Sequence, residues 1–154
     1  MMTNWQLAQF NIARLRRPLD HPDTAPFVDA LDMVNALAES SPGFVWRLQD
    51  ESGLSSSYVR AYDDPLTIIN LSVWESPDAL RDFVFRTGHT EVLRRRREWF
   101  ERMEAASLVC WWVGGGTVPT VVEAVERLDR LHRDGSSQHA FTLRDAFPSP
   151  TTGR

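Results

Sequence analysis

Cysteine is nearly absent: Cys110 is the only one in 154 residues. One thiol excludes an internal disulfide framework and a thiolate metal site, and it fits a reducing compartment, so a cytoplasmic location is expected. Long hydrophobic runs are also missing, since no stretch reaches the ~18 consecutive apolar residues of a membrane-spanning helix. Met1 to Phe10 has no basic segment followed by an apolar run, so no signal peptide is expected. Positive charge is in deficit: 17 Lys+Arg against 21 Asp+Glu give a net charge of −4 and a pI near 5.5. That balance argues against nucleic acid or an anionic membrane as partner. Catalytic signatures are lacking as well. There is no HExxH and no G-x-S-x-G, no two histidines have metal-ligand spacing, and Gly114-Gly115-Gly116 lacks the spacing of a phosphate-binding loop.

What is present describes a globular chain. Hydrophobic residues make up 42% and charged residues 25%, an ordinary balance for one domain. A chain of this size can bury roughly 68–70% of its unfolded surface without staples. One domain is expected over residues 1–147, with 148–154 as a loose, Pro- and Gly-containing tail. Six tryptophans are many for this length, and Trp46, Trp74, Trp111 and Trp112 all fall in expected strands.

Apolar and mixed residues alternate from Trp5 to Leu15, which reads as a strand: Ala8, Phe10 and Ile12 on one face, Leu7, Gln9, Asn11 and Ala13 on the other. Phe27, Leu31, Val34 and Ala38 recur at helical spacing, so a helix is expected over Thr24–Ser40, with Asp23 or Thr24 as cap. Phe44–Gln49 reads as a short strand, 50–57 as a hairpin loop and 58–62 as a return strand. Leu66–Glu75 alternates most clearly, with Ile69, Leu71 and Val73 opposite Asn70, Ser72 and Trp74. Ser76-Pro77-Asp78 is a helix start, Gly88 a stop, and a second, longer helix is expected from Thr90 to about Ala105, with Leu93, Phe100 and Met103 inward. Leu108–Val113 reads as a central strand. Thr120 to Glu123 matches a capping box, opening a helix that ends near Gly135. His139–Leu143 reads as a short last strand.

The expected class is α+β, in the order β-α-β-β-α-α-β-α, around a β-α-β-β-α-β core of the ferredoxin-like pattern with an antiparallel sheet. If helices cover one sheet face, the other needs a cover too. A second copy would supply it, giving a homodimer whose two sheets enclose a dimeric α/β barrel. The mixed faces would line that barrel: Gln9, Asn11, Asn70, Ser72 and Trp74, with Trp46 or Arg47 from the second strand and Trp111 or Trp112 from the last. Aromatic walls with a few amides and hydroxyls describe a small-molecule pocket. The competing reading is a packed interface in which these groups bond one another.

The segments LAQFNIARLRRPLD, PGFVWRLQDE, INLSVWES, RRRREWFERM, CWWV, VPTVVEAVERL and HAFTLRDAFP span Leu7 to Phe147. In them the chain resembles the bacterial domain-of-unknown-function family 3291. That family is similar in pattern to the dimeric α/β-barrel superfamily, which includes antibiotic-biosynthesis monooxygenases, stress-responsive barrel proteins and haem-degrading enzymes. The resemblance implies fold and dimer, with function by analogy only. By that analogy, a cofactor-independent monooxygenase or isomerase acting on a small hydrophobic or aromatic metabolite is the first expectation. Its catalytic candidates are His89, Asn11, Asn70 and Trp74, with Arg47 or one of Arg94 to Arg97 as anion partner. No metal and no cofactor is the leading expectation. The alternative is haem, because the haem-degrading relatives use Asn, Trp and His on successive elements and Asn11, Trp74 and His89 follow that order; His89 would be the axial ligand. A non-catalytic ligand-binding or stress-response dimer is the third. Arg94 to Arg97 spread around a helix circumference and pair most simply with Glu91, Glu98 and Glu101. His21, His132 and His139 read as structural or surface residues, and Cys110 as a buried, inert thiol.

Overall fold

A computed structural model describes residues 4–49 and 59–150. The alternation at the start of the chain produces β1 (Trp5–Arg14), which pairs on both sides. One neighbour is β3 (Thr67–Trp74), with Gln9 opposite Ser72 and Asn11 opposite Asn70. The other is β4 (Leu108–Gly114), with Leu7 opposite Trp112 and Gln9 opposite Cys110. β2 (Phe44–Arg47) adds to the far edge of β3. The four-stranded sheet has the order β2-β3-β1-β4, every pairing is antiparallel, and it is open rather than closed into a barrel.

Helix α1 (Ala25–Glu39) follows a 3-10 turn, Pro22–Thr24. Neither expected side chain caps α1. Thr24 holds the cap position without a side-chain bond to the helix, and it is His21 Nδ1 that accepts the Asp23 N–H at the turn. Gly43 then reverses the chain into β2 at φ +85°; a Cβ there would lie 2.5 Å from that of Ala79, so glycine is required both for conformation and for space. Helix α2 (Pro77–Gly88) starts as the sequence predicts, with Ser76 Oγ accepting the Ala79 N–H at 3.2 Å. Helix α4 (Val121–Asp134) is capped by Thr120, whose Oγ accepts the Glu123 N–H, and closed by Gly135 at φ +75°.

Three expected elements are changed. The helix expected from Thr90 to Ala105 is one turn, α3 (Glu91–Arg94), followed by a 3-10 turn, Arg96–Glu98. It stops because the backbone beyond it is committed elsewhere: Arg16 N donates to Trp99 O at 2.7 Å, Glu101 N donates to Arg14 O at 2.8 Å, and Phe100 bridges Leu15. The strand expected over 58–62 is absent at residues 59–62, while residues 50–58 lie outside those described. The last strand is reduced to isolated bridges, Cys110 with Phe141 and Ser137 with Ala140.

The larger correction concerns the layers. Helices lie on both faces of the sheet. The mixed face packs beneath α1 and α2, where Leu7, Trp74 and Cys110 cluster with Ala38 and Leu80. The apolar face, with Ala8, Phe10, Ile69, Leu71 and Val73, is covered by Ala124, Leu128 and Leu131 of α4. The chain thus supplies the cover that a second copy was expected to provide, and the mixed face is internal to one protomer. No helix among the described residues is long and apolar enough to cross a membrane.

Two expectations follow. Leu128 is 1% exposed and Val122, on the same helix, 70%. Urea unfolding should show Leu128→Ala losing about 2–5 kcal/mol and Val122→Ala within about 0.5 kcal/mol of wild type; equal effects would mean α4 is not seated on the sheet. At the opposite end of the sheet, Arg14 pairs with Asp64 at 2.8 Å and also with Glu101. The Leu66 backbone N–H, Arg14 and Thr67 hold the Asp64 carboxyl below its ordinary range. A depressed carboxylate stabilises above its unfolded pKa and ceases to do so as pH falls through the folded value. The melting-temperature deficit of Asp64→Asn should therefore be full at pH 7 and shrink below about pH 4; a deficit independent of pH would exclude this role.

Candidate functional site

Because paired residues on neighbouring strands share a face, the register settles which side chains meet. One row across the sheet is Arg47, Ser72, Gln9 and Cys110; the next is Asn70, Asn11 and Leu108; a third joins Trp74, Leu7 and Trp112. The expected set Gln9, Asn11, Asn70, Ser72 and Trp74 does share one face. Of the paired alternatives, Arg47 and Trp112 lie on it. Trp46 pairs with Val73 and Trp111 with Ala8, which turns both to the α4 side.

Between this face and helices α1, α2 and α3 lies a cavity of about 590 Å³. Asn11, Asn70, Ser72, Trp74 and Arg47 line it from the sheet; Phe27, Leu31 and Val34 from α1; Phe83 and Thr87 from α2; and Leu93, Phe100 and Met103 from the segment after it. The inward set Leu93, Phe100 and Met103 is thus in place although the helix expected to carry it is not. The α1 stripe was legible as helical periodicity but gave no sign that it faces a void; a stripe that fills a core has the same spacing.

The floor carries a hydrogen-bonded chain. Gln9 Nε2 donates to Asn70 Oδ1 at 2.5 Å and to Ser72 Oγ at 2.7 Å, and Trp74 Nε1 donates to the same Ser72 Oγ at 2.9 Å. The Trp74 ring stacks on Phe83 with centroids 5.0 Å apart and meets Phe44 edge-on at 5.5 Å. Gln9 is buried below the floor and does not line the cavity; it holds the two side chains that do. Two buried atoms have no hydrogen-bond partner among the described residues of this site: Gln9 Oε1 and Arg47 Nη1.

Several expected site residues lie elsewhere. Trp112 shares the face but is covered by the C-terminal segment, where its Nε1 donates to Phe147 O at 2.9 Å and its ring meets Phe141. His89 is exposed at the end of α2, its ring against Phe85 and its Nδ1 2.7 Å from the Phe85 carbonyl. A helix C-terminus leaves carbonyls unpaired, and an imidazole N–H satisfies one of them. None of the four histidines lines the cavity, so no imidazole stands in its walls for the axial role expected of His89. No group of three potential metal ligands occurs among the described residues. Arg96 is the one of the four consecutive arginines that lines the cavity, while Arg95 pairs with Glu98 and lies 5.1 Å over the Trp99 ring. Burial pushes the Cys110 thiol up to about 12, which keeps it protonated and unreactive.

Ser72→Ala would strip an acceptor from two buried donors, Gln9 Nε2 and Trp74 Nε1. A loss of about 1–3 kcal/mol is expected by chemical denaturation, with Ser72→Thr recovering part of it; a neutral Ser72→Ala would mean the floor is not bonded as described.

The model of the family described as "Domain of unknown function (DUF3291)" matches residues 6–154. No curated protein and no solved structure matches the chain.

Proposed function

The chain belongs to this family of unknown function, and we propose that it binds a small, largely hydrophobic or aromatic metabolite in the cavity between its sheet and helices α1 to α3. One contrast carries the reading. The helices present mainly apolar side chains, Phe27, Leu31, Val34 and Phe83, with Asn35 and Thr87 among them, while the sheet beneath sets Asn11, Asn70, Ser72 and Arg47 among Ile68, Ile69 and Trp74. A core between those layers would be apolar on both sides, because unsatisfied amides are costly to bury. Apolar walls with a few convergent polar groups are the pattern of a ligand site, and about 590 Å³ falls in the size range of such sites.

In this reading Trp74, held by Ser72 and stacked on Phe83, is the aromatic platform. The amide of Asn70 and the hydroxyl of Ser72 orient the occupant. Turnover in this reading is of the cofactor-independent kind: either an isomerisation, which is redox-neutral, or an oxidation in which the substrate supplies the electrons and dioxygen accepts them, one oxygen atom entering the product and the other leaving as water. The protein then contributes desolvation, stacking and N–H donors toward a developing oxyanion. His89 takes no part, and the cavity walls need no second copy; a homodimer would join protomers through other surfaces.

Dye binding tests this directly. An uncharged, apolar fluorophore such as N-phenyl-1-naphthylamine should bind one per chain with a blue shift. Val34→Trp, which fills the cavity from α1, should weaken it at least about tenfold, while His89→Ala should leave it unchanged. Binding that survives Val34→Trp, or is lost in His89→Ala, would overturn the assignment.

A further inference from the structure

We infer that the ligand of this cavity is a carboxylic acid: a hydrophobic body whose carboxylate is held by Arg47. The inference rests on the proposed function and specifies its substrate class.

Arg47 is an unusual group to find here. Its side chain is only 10% exposed, and it stands opposite Ser72 in the strand register, hence on the cavity face. Its Nε donates to Glu39 Oε2 at 3.0 Å, from the last residue of α1. Its Nη1 is buried with no hydrogen-bond partner among the described residues. A guanidinium is a rigid planar fork of five donors that never loses its proton in proteins. Glu39, half-exposed, occupies one edge of that fork. The Nη1 nitrogen is a charged donor without an acceptor among the described residues, on a residue that lines the cavity.

The neighbouring polar groups have the same sense. Asn70 Oδ1 is taken by Gln9, so what Asn70 has left to offer is its NH₂ group. Ser72 Oγ already accepts two N–H bonds, so its own hydrogen is left to donate. Among the described residues that line the cavity there are two arginines and no aspartate or glutamate, although acids outnumber bases in the chain. A buried cation with donors beside it, and no carboxylate in the described lining, selects an anion.

The anion is a carboxylate rather than a phosphate. A planar pair of oxygens matches the guanidinium edge, and a single cation already shared with Glu39 leaves a dianion undercompensated. Arg96, the other lining arginine, sits at the far end: its carbonyl bonds Phe100 N, and Phe100 packs on Phe27 near the start of α1. Glu39, at Arg47, ends the same helix, which places the two ends roughly 18 Å apart at 1.5 Å per residue. Along that length the lining residues Leu31, Val34 and Ile68 leave room for an aryl or medium-length alkyl body.

The probes are 2-naphthoate and its uncharged twin 2-naphthalenemethanol, titrated calorimetrically into the full chain at pH 7. Wild type should bind the acid at least about tenfold more tightly than the alcohol. Arg47→Met should lower acid affinity to that of the alcohol and leave the alcohol unchanged. Because Arg47 also holds Glu39, Glu39→Gln is the companion variant: it breaks the ion pair, keeps the guanidinium, and should retain or strengthen the preference. Equal binding of the two probes by wild type would overturn the carboxylate and leave the cavity's role standing, as would a preference that persists in Arg47→Met. Loss of the preference in Glu39→Gln would also overturn it, since Arg47 would then act only through its ion pair. If neither probe binds and the dye binding also fails to respond to Val34→Trp, the proposed function itself falls.

Discussion

Everything in this fold depends on the two-residue period of β1 and on its register with β3. β1 is central, paired on both sides, and its faces serve opposite purposes. Ala8 and Phe10 build the core beneath α4; Gln9 and Asn11 build the floor of the cavity. A slip of one residue would exchange these faces, burying amides in the core and leaving Phe10 over the cavity. The bonds from Gln9 to Asn70 and Ser72 act against that slip, because they form only when Gln9 stands opposite Ser72. The same contacts that fix the register thus compose the site.

Where chemistry is local, the sequence was legible. Alternation alone placed Gln9, Asn11, Asn70, Ser72 and Trp74 on one face, and Ser76-Pro77 and Thr120 marked helix starts that the structure reproduces. The register was needed to choose Arg47 over Trp46 and Trp112 over Trp111, since adjacent residues on a strand are exchanged by a single step in pairing.

What could not be read was non-local. The amphipathic segment after Thr90 has helical composition, but backbone groups at Trp99 and Glu101 are claimed by β1 and the residues just after it, and a 3-10 turn takes the place of further helix. No periodicity shows which face of a sheet a helix will cover. The expectation of a bare face rested on counting helices without placing α4, and α4 is the element that removes the need for a partner there. His89 is a functional candidate by residue type and position, and in the fold its Nδ1 meets the Phe85 carbonyl at the end of α2, outside the cavity lining.

The bridge between Cys110 and Phe141 has a bearing on how copies of this chain meet. β4 is an outer strand, and such a strand exposes a ladder of donors and acceptors on which another chain can build. Here the Cys110 N–H and C=O are both taken, by Phe141 O at 2.7 Å and Phe141 N at 2.9 Å, and Trp112 is fastened to Phe147 two residues further along. The C-terminal segment is therefore a built-in stopper on that edge. Two sheets could not be spliced into one across β4 unless this segment were first peeled away, so truncation before Phe141 would convert a closed border into an adhesive one.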